Sequence, residues 1–478
     1  MPDSPDVSLK SPSPASRQTD KVPVWQKIFY GAGSGSYQLS GEGVKGLANP
    51  IYNITLGLSP SLVGLVLMIA RIFDAFTDPL IGRWSDNART RWGRRRPFIF
   101  VGSFLTAGAF VLIWMVPESW AGQTQKLFLY YLVSMLVFYF CATIQVVPYH
   151  TLGLEMTADY HERTVISGYK MVFSFTFSLL LPWVFRFAQA DAFSGNTMAG
   201  MRFLSFIMAG VIIVGGILPA LFVREPYYRL AKDQEKVPFW KSARLTLQNT
   251  SFLILTAVIL TSSLGPSMVG ALGPYIIYYE MYGGDTKAGA ELAAIGSNLF
   301  SIAAIICTPL LTAWSRKTGK VAMLKLLVWL GLIGSLLSFV LFSRTHPYLV
   351  LVYYLLQAPA AAGFWTLTTS MKADICDDDE LRNGTRREGM FGAVGGWIGK
   401  TALSVTFLIS GVILEATGFR VELKGNQAPE TLLWMRILFA VIPAISSAAA
   451  LYFLSKYTLS HARMDEIRRE LEARRSTI

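Results

Sequence analysis

Long apolar blocks, separated by short polar segments, repeat along almost the whole chain. Each block spans about 20 residues or more, the length at which an α-helix, rising about 1.5 Å per residue, crosses the roughly 30 Å hydrocarbon core of a bilayer. The pattern predicts an all-α membrane protein with twelve transmembrane helices. They are expected at 26–56, 61–82, 98–117, 127–153, 165–188, 200–223, 251–281, 289–312, 321–343, 348–372, 387–417 and 432–456.

Positive charge is concentrated in every second loop between the predicted helices. By the positive-inside rule, these loops face the cytoplasm, and so do both chain termini. The basic loops carry Arg83, Arg89, Arg91, Arg94, Arg95 and Arg96 after helix 2, Arg224, Arg229 and Lys232 after helix 6, Arg316, Lys317 and Lys320 after helix 8, and Lys372, Arg382, Arg386 and Arg387 after helix 10.

The longest polar stretch between helices, 224–250, is expected to be a cytoplasmic linker between two six-helix halves, 25–223 and 251–456. Two such halves are typical of a transporter built from a parallel repeat. Residues 1–24 are rich in Ser, Pro and Asp, lack the apolar core of a signal peptide, and are expected to be a disordered cytoplasmic tail. Residues 457–478 predict a solvated cytoplasmic helix with opposite charges four residues apart.

Composition excludes several classes of protein. Of the 478 residues, 52% are hydrophobic and only 15% are charged, whereas a soluble domain carries about 25% charged residues. The net charge of +12 lies in short loops, so no nucleic-acid partner is expected. The cysteines and histidines are scattered, with His150 a candidate to line a cavity. Without a nucleophile–base pair or a metal-ligand cluster, we expect no enzyme activity, no cofactor, and no metal except a coupling Na⁺.

Predicted helix 2 carries charges at a depth where charge is costly. Asp74 and Asp78 lie one turn apart on the same face, Arg71 lies one turn before Asp74, and Thr77 borders that face. Two carboxylates and a hydroxyl form an oxygen-rich site suited to Na⁺, Li⁺ or a proton, and Pro79 frees a backbone carbonyl nearby. The alternative is a structural ion pair between Arg71 and Asp74.

Predicted helix 1 has a polar stripe formed by Gln38, Glu42, Lys45 and Asn49. Steps of four, three and four residues put these side chains on one helix face. They are candidate solute contacts. The alternative is that Glu42 and Lys45 only neutralise each other.

Predicted helix 11 contains Lys400 within an apolar run. A lysine at that depth needs a carboxylate partner, Asp74 or Asp78, or an anionic solute. The sequence Gly-Gly-Trp-Ile-Gly-Lys-Thr at 395–401 is one residue short of a P-loop and follows no strand, which excludes nucleotide binding.

Other polar and aromatic residues also interrupt apolar helices. Thr143, Gln145 and Tyr149 lie on predicted helix 4, Lys170 on helix 5 and Trp365 on helix 10. An aromatic ring beside hydrogen-bonding groups is a common way to hold a sugar, and it is as often plain packing.

Acidic and basic residues of the cytoplasmic loops are expected to pair. Such pairs would latch the two halves in one state and release them in another. The acidic run at 374–380 lacks the ligand spacing and glycine of an EF-hand, so calcium binding is not expected. The candidate gating residues are Asp86, Arg94, Arg95, Asp374, Asp377 and Arg387.

These motifs together resemble a known family. Residues 70–82 read Ala-Arg-Ile-Phe-Asp-Ala-Phe-Thr-Asp-Pro-Leu-Ile-Gly, and 91–97 read Arg-Trp-Gly-Arg-Arg-Arg-Pro. Both closely resemble the glycoside–pentoside–hexuronide:cation symporters, the melibiose-permease-like branch of the major facilitator superfamily. Shorter matches extend the resemblance over nearly the whole chain: Tyr30-Gly31, Leu58-Ser59-Pro60, Glu162-Arg163-Thr164, Arg387-Glu388-Gly389 and Arg468-Arg469-Glu470-Leu471.

The resemblance implies a major facilitator fold of two six-helix bundles and symport of a sugar or glycoside with Na⁺ or H⁺ by alternating access. We further expect a monomer, because nothing in the sequence requires a higher oligomer, in a bacterial inner membrane, with a small solute, a monovalent cation and lipid as partners. Position by position, it implies a cation site at Asp74, Thr77, Asp78 and Thr143, a lysine between the two sites at Lys400, a sugar-side tryptophan at Trp365, and Lys170 in place of a helix 5 arginine.

Two positions depart from the family pattern. Gln38 and Val146 stand where melibiose permeases have sugar-binding aspartates. Losing two carboxylates while keeping Lys45, Lys170 and Lys400 makes a cavity less hostile to anions. The hypothesis is an acidic solute, such as a hexuronide or a sulfonated sugar, with a neutral glycoside as the alternative.

Two further alternatives remain open at the level of sequence. A related animal branch of lysophospholipid carriers shares the helix 2 motif, and an apolar lateral opening between the halves would favour that function. A membrane sensor or scaffold without transport is the other alternative, which the retained Asp74, Asp78 and Lys400 disfavour.

Overall fold

The computed structural model describes residues 21–157, 160–225, 239–383, 388–459 and 461–476, and this part of the chain is helical with no β-strand. The predicted N-terminal tail therefore lies almost entirely outside the described residues, as does Arg387. The N-terminal half consists of α1 (Val24–Ala48), α2 (Pro60–Asn87), α3 (Arg96–Trp114), α4 (Thr124–Glu155), α5 (Tyr160–Ser178), α6 (Leu181–Ala188) and α7 (Thr197–Phe222).

The C-terminal half follows a short helix, α8 (Phe239–Gln248), which lies inside the predicted linker. Its helices are α9 (Thr250–Met268), α10 (Leu272–Tyr275), α11 (Thr286–Thr318), α12 (Lys320–Leu341), α13 (Val350–Asn383), α14 (Glu388–Ala416) and α15 (Pro429–Ser455), and α16 (His461–Ser476) ends the described chain.

Eleven helical spans in the described residues are long and apolar enough to cross a membrane. The remaining span is α1, which continues as a π-helix over Asn49–Thr55. It is long enough, but Lys27, Glu42 and Lys45 make it more polar than the others. With α1 counted, the chain has the twelve-helix, two-bundle arrangement that the sequence predicts.

Two predicted helices are broken rather than continuous. Predicted helix 5 divides at residues 179–180 into α5 and α6, and Pro182 lies in the first turn of α6. Predicted helix 7 divides into α9, α10 and a π-helix over Ile276–Met281. Hydrophobicity alone does not separate a broken helix from a straight one, because the apolar block continues through the break.

The two halves meet closely on one side of the molecule. We call the face where α1 begins the terminal face and the opposite face the distal face. In the distal half of the protein, a Cβ at Gly64 of α2 would collide with the backbone of Phe407, and a Cβ at Gly411 of α14 with that of Pro60. Near the terminal face, a Cβ at Gly396 would meet nothing described within 4 Å. The structure is therefore closed at the distal face.

The C-terminal helix α16 is packed rather than fully solvated. Met464, Ile467 and Leu471 are buried and join the apolar core of the C-terminal half, which includes Ile375 of α13 and Leu454 of α15. The expectation of a solvated helix is wrong for this face, because the charge pattern of the sequence obscured three apolar residues spaced three and four apart.

Replacing Ile467 tests this packing. Its side chain is fully buried, and truncating a buried isoleucine to alanine costs about 2–5 kcal/mol. We expect Ile467→Ala to lower the Tm of the detergent-purified protein by roughly 5 °C or more, measured by a thermal unfolding scan. Glu470→Ala, on the exposed face of α16, is the matched control. Equal Tm values for the two variants would show that α16 does not contribute to the folded core.

Candidate functional site

Two carboxylates on α2 face a lysine from the other half of the protein. Lys400 of α14 donates to Oδ2 of Asp78, and its Nζ lies 3.4 Å from Oδ2 of Asp74. Arg71, one turn before Asp74, donates to that same Oδ2 at 2.9 Å. The structure thus forms both the structural ion pair on α2 and the cross-half pair that the sequence suggested for Lys400.

Two threonines complete an oxygen-rich cluster around Asp74. Thr143 of α4 donates to Oδ1 of Asp74 at 3.0 Å, and its hydroxyl lies 3.3 Å from that of Thr77. Thr77 also donates to the backbone carbonyl of Asp74 at 3.1 Å. The four residues predicted for cation binding therefore lie together, and Asp74, Thr77 and Thr143 are each buried.

The charges of this cluster balance in the observed arrangement. Asp74 and Asp78 carry two negative charges, and Arg71 and Lys400 carry two positive ones. A buried carboxylate without a partner is strongly disfavoured in a bilayer, so removal of Lys400 requires another positive charge. A small monovalent cation can supply that charge, which makes the cation and the Lys400 ammonium alternative partners for the same oxygens.

A cavity of about 560 Å³ lies between the halves on the distal side of this cluster. Its charged wall combines one carboxylate with three cations, and Lys45 donates to Glu42 at 2.7 Å. Its opposite wall is aromatic. The lining includes Glu42, Lys45, Asn49, Arg71, Lys400, Tyr275, Tyr278 and Phe407.

A smaller cavity of about 150 Å³ adjoins the carboxylates. Lys45, Arg71 and Lys400 line both this cavity and the 560 Å³ cavity. His150 lines it, as the sequence suggested, and Lys170 lies 3.0 Å from Nδ1 of His150. A lysine ammonium only donates hydrogen bonds, so Nδ1 accepts and the imidazole proton lies on Nε2.

Several predicted solute contacts lie elsewhere. Gln145 donates to the hydroxyls of Ser36 at 3.0 Å and Ser103 at 3.2 Å, which places it in the packing between helices. Tyr149 donates to a backbone carbonyl of α1 at 2.8 Å and is buried. Gln38 accepts a hydrogen bond from Ser174 at 3.3 Å. None of these three lines either cavity described above.

Trp365 is half exposed and lines a third cavity, of about 260 Å³, inside the C-terminal half. It is absent from the lining of the 560 Å³ cavity. The sequence indicated an aromatic residue that interrupts the apolar run of α13, but it could not indicate which cavity the ring of Trp365 would line.

The arginines after α2 are held by acids of their own half. Arg95 donates to Asp86, to Glu155 at 3.2 Å and to the Ser85 hydroxyl at 2.7 Å. Arg94 pairs with Glu155. Glu155 was not among the predicted gating residues. Its position at the end of α4 near the terminal face, where the basic loops were expected, could have indicated that it pairs with these arginines.

A second acid missed by the sequence analysis is Glu225, at the start of the predicted linker. Its carboxylate accepts backbone N–H groups of Arg94, Arg95 and Arg96 at 2.8, 3.0 and 3.1 Å. Consecutive backbone N–H groups at a helix N-terminus favour an anion, so the carboxylate caps the start of α3.

Acidic residues of α13 form pairs within the C-terminal half, such as that of Asp378 with Arg382 at 2.9 Å. Lys320 of α12 donates to Asp374 at 2.6 Å, and Asp377 lies one turn further along the helix. The pairs shown for Arg95 and Asp374 thus each join helices of a single half. The predicted latch between halves stays a prediction, and its member Arg387 lies outside the described residues.

The distal face holds pairs that do cross between the halves. Lys287 of α11 contacts Asp191, and Arg186 lies 3.3 Å from Glu291. Tyr275 donates to the side chain of Asn53 deeper in the protein. The hydrogen bond and charge of Lys287 lower the pKa of the exposed Asp191 carboxyl. These contacts join the two halves at the distal face.

Comparison with known proteins places this architecture in a family. A family model described as MFS/sugar transport protein matches residues 29–461. The chain belongs to this family. The resemblance that the helix 2 motif carried is thereby confirmed, and so is the major facilitator fold. As a member of this family the protein is an integral membrane transporter rather than an enzyme.

Two relatives of this family member match it over most of both chains. A putative glycoside/cation symporter of Escherichia coli K12, YagG, is 25% identical, with 93% of this chain and 94% of the relative covered. The sodium-dependent lysophosphatidylcholine symporter 1 of Mus musculus is 24% identical, with 96% and 90% covered. Both relatives are symporters by name, and a symporter moves its solute together with a coupling ion.

Among solved structures, the crystal structure of a D-xylose–proton symporter matches with a TM-score of 0.64. It covers 91% of this chain and 98% of the symporter chain at 14% identity. That likeness supports the fold of this transporter.

Charge reversal tests the pairs that close the distal face. Lys287→Asp would set a carboxylate against Asp191 and favour separation of the halves there. We expect the rate at which Ser410→Cys, in the cavity wall, reacts with a membrane-impermeant thiol reagent added at the distal face to rise a few-fold, since exposed ion pairs are weak.

The swapped double variant Asp191→Lys/Lys287→Asp is the control. It restores opposite charges and should return the labelling rate of Ser410→Cys to its original value. A rate that stays high in the swapped variant, or that is unchanged in Lys287→Asp, would contradict a closing role for this pair.

Proposed function

We propose that this transporter is a cation-coupled symporter of a sugar or glycoside that bears an acidic group. The observation that carries the proposal is Lys400, which reaches from α14 to both carboxylates of α2 and also lines the 560 Å³ cavity. One cation of the protein therefore touches the candidate ion site and the candidate solute site together.

The cation step begins at Asp74 and Asp78. Na⁺ or a proton bound there, with the hydroxyls of Thr77 and Thr143 as further oxygen ligands, neutralises the carboxylates and releases Lys400. The charge of the cluster is then carried by the incoming ion, and the lysine is free to face the cavity. Because binding couplings are reciprocal, a solute that holds Lys400 in the cavity raises the affinity of the carboxylates for the cation.

The solute step uses the released lysine. Lys400, Lys45 and Arg71 lie on one wall of the 560 Å³ cavity, where Glu42 is the one carboxylate. A solute carboxylate or sulfonate would pair with Lys400 at the moment when its protein partners are neutralised. The absence of an acid at Val146, which lines the 150 Å³ cavity beside Lys400 and stands where melibiose permeases carry a sugar-binding aspartate, supports the same solute class.

The closure at the distal face supports an alternating-access mechanism. We infer that the terminal face, which carries the arginine-rich loops, lies in the cytoplasm, in keeping with the positive-inside rule, and that the membrane is a bacterial inner membrane. The observed state is then closed to the outside. Opening requires the distal pairs and the contact between α2 and α14 to separate as the halves rock about the site.

Neutralising the two aspartates tests the cation step. In proteoliposomes with a Na⁺ or a proton gradient, Asp74→Asn and Asp78→Asn should each lower gradient-driven accumulation at least about ten-fold, because the oxygens that bind the ion lose their charge. Glu422→Gln, at an exposed position in the segment after α14, is the matched control and should accumulate solute normally. Accumulation at the wild-type level in both α2 variants would contradict the proposed mechanism.

A panel of solutes tests the acidic class. Glucuronate, sulfoquinovose, xylose and lysophosphatidylcholine would be offered under each gradient. We expect accumulation of an acidic sugar, and we expect Lys400→Gln to reduce it at least about ten-fold, because the anion loses its partner. Accumulation of xylose alone would contradict the acidic solute, lysophosphatidylcholine accumulation would favour the lipid-carrier alternative, and no flux of any solute would favour a sensor.

A further inference from the structure

The 260 Å³ cavity lies inside the C-terminal bundle, between α9, α12, α13 and α15. Its lining contains no charged side chain, in contrast to the cavity at Lys400. It is rich in hydroxyl groups and has one side-chain amide. These polar residues are Ser262, Ser263, Ser267, Ser335, Ser447 and Gln357.

The helix that supplies three of these serines is interrupted at the cavity. Pro266 has no N–H group, so the carbonyl of Ser262 loses its normal partner in α9. One step earlier, the hydroxyl of Ser446 accepts from the N–H of Gly265 at 3.1 Å and donates to the carbonyl of Thr261. The backbone groups of Gly265 and Thr261, next to the interruption, therefore have a hydrogen-bond partner on α15.

The groups at Ser262 are not satisfied in the same way. Its hydroxyl is buried and has no hydrogen-bond partner among the described residues. A buried hydroxyl without a partner costs about 1–3 kcal/mol. Interrupted transmembrane helices with freed backbone groups commonly form binding sites in transporters, and the position of Ser262 at the cavity fits a ligand that supplies hydroxyl groups.

The cavity lies beside the solute path. Ser267 lines both the 260 Å³ cavity and the 560 Å³ cavity. The indole of Trp365, which is 50% exposed, forms part of its wall beside the buried Phe364. An aromatic face together with hydroxyl and amide groups suits a neutral sugar ring, whose C–H face is apolar and whose edge is polar.

We propose that this C-terminal cavity is a subsite for the second, uncharged ring of a two-ring glycoside. This inference rests on the proposed sugar symport. It adds that the two rings of the solute bind in different places, one between the halves and one inside the C-terminal half. The charged ring occupies the cavity at Lys400, and the neutral ring passes Ser267 and enters the cavity beside Trp365. The hydroxyl of Ser262 and the side-chain oxygen of Gln357 bind the hydroxyl groups of that ring. The Gln357 amide nitrogen donates to the carbonyl of Gly331 at 3.4 Å and to the hydroxyl of Ser335 at 3.3 Å.

Filling the cavity separates one-ring from two-ring solutes. Ala361 of α13 lines the cavity, and Ala361→Leu places a larger side chain in it. The probes are glucuronate against glucuronosyl-xylose, and xylose against xylobiose. We expect the KM for the two-ring solute to rise at least about ten-fold and the KM for the one-ring solute to stay within about two-fold. Ala448→Leu adds the same volume on the exposed face of α15, outside the cavity lining, and is the control, with both KM values near those of the wild type.

A second measurement does not depend on the filled variant being folded. Ser447→Cys puts a thiol in the cavity wall, and its labelling is followed by peptide mass spectrometry against the native cysteines. We expect the two-ring probe to slow the labelling of Ser447→Cys at least about five-fold and the one-ring probe to leave it unchanged.

The outcomes separate this inference from the proposed function. Equal protection by both probes, or equal changes of both KM values, would overturn the subsite and leave symport intact. Uptake of one-ring solutes alone by the wild-type protein would do the same. A wild-type protein that accumulates none of the four probes under either gradient would contradict the proposed symport itself.

Discussion

The pairing of one lysine with two carboxylates in a low-dielectric interior is the constraint on which the rest of the structure depends. Neither Lys400 nor the acids of α2 can be left without a counter-charge at that depth. The helices that carry them, α2 and α14, are therefore held together across the boundary between the halves. Any event that changes the charge of the acids also changes the force between the halves. In the proposed mechanism, the binding site and the conformational switch are therefore the same few atoms.

The sequence predicted much of this because charge is costly in a membrane and therefore conspicuous. Asp74, Asp78 and Lys400 stood out against apolar runs, and the motif around them indicated the family that the comparison confirmed. The same reasoning did not indicate what Gln145 and Tyr149 would contact. Their polar atoms meet groups on α1 and α3, and helical periodicity within one segment does not show what a neighbouring helix presents.

The breaks in the predicted fifth and seventh helices could not be anticipated from hydropathy, because proline is tolerated inside apolar spans when nearby groups satisfy the freed backbone. In α9, Ser446 from α15 fulfils that role, a contact between residues far apart in the sequence. Glu225 is similar: an unremarkable acid in the sequence, it caps α3 from the other side of the N-terminal half. The hydrogen-bond partners of backbone groups, when they are distant in the sequence, are the part of this fold that hydropathy and helical periodicity cannot predict.

The contact of Gly64 with Phe407, and of Gly411 with Pro60, has a consequence for leakage. Where two helices are in contact through backbone atoms, the barrier does not depend on a side chain, so a rotamer change cannot open it. A passing fluctuation of a single residue therefore does not create a pore at this crossing. Only the displacement of whole helices does so, and in the proposed mechanism that displacement is coupled to the charges of Asp74, Asp78 and Lys400. The same two glycines that permit close packing thus keep a carrier from behaving as a channel.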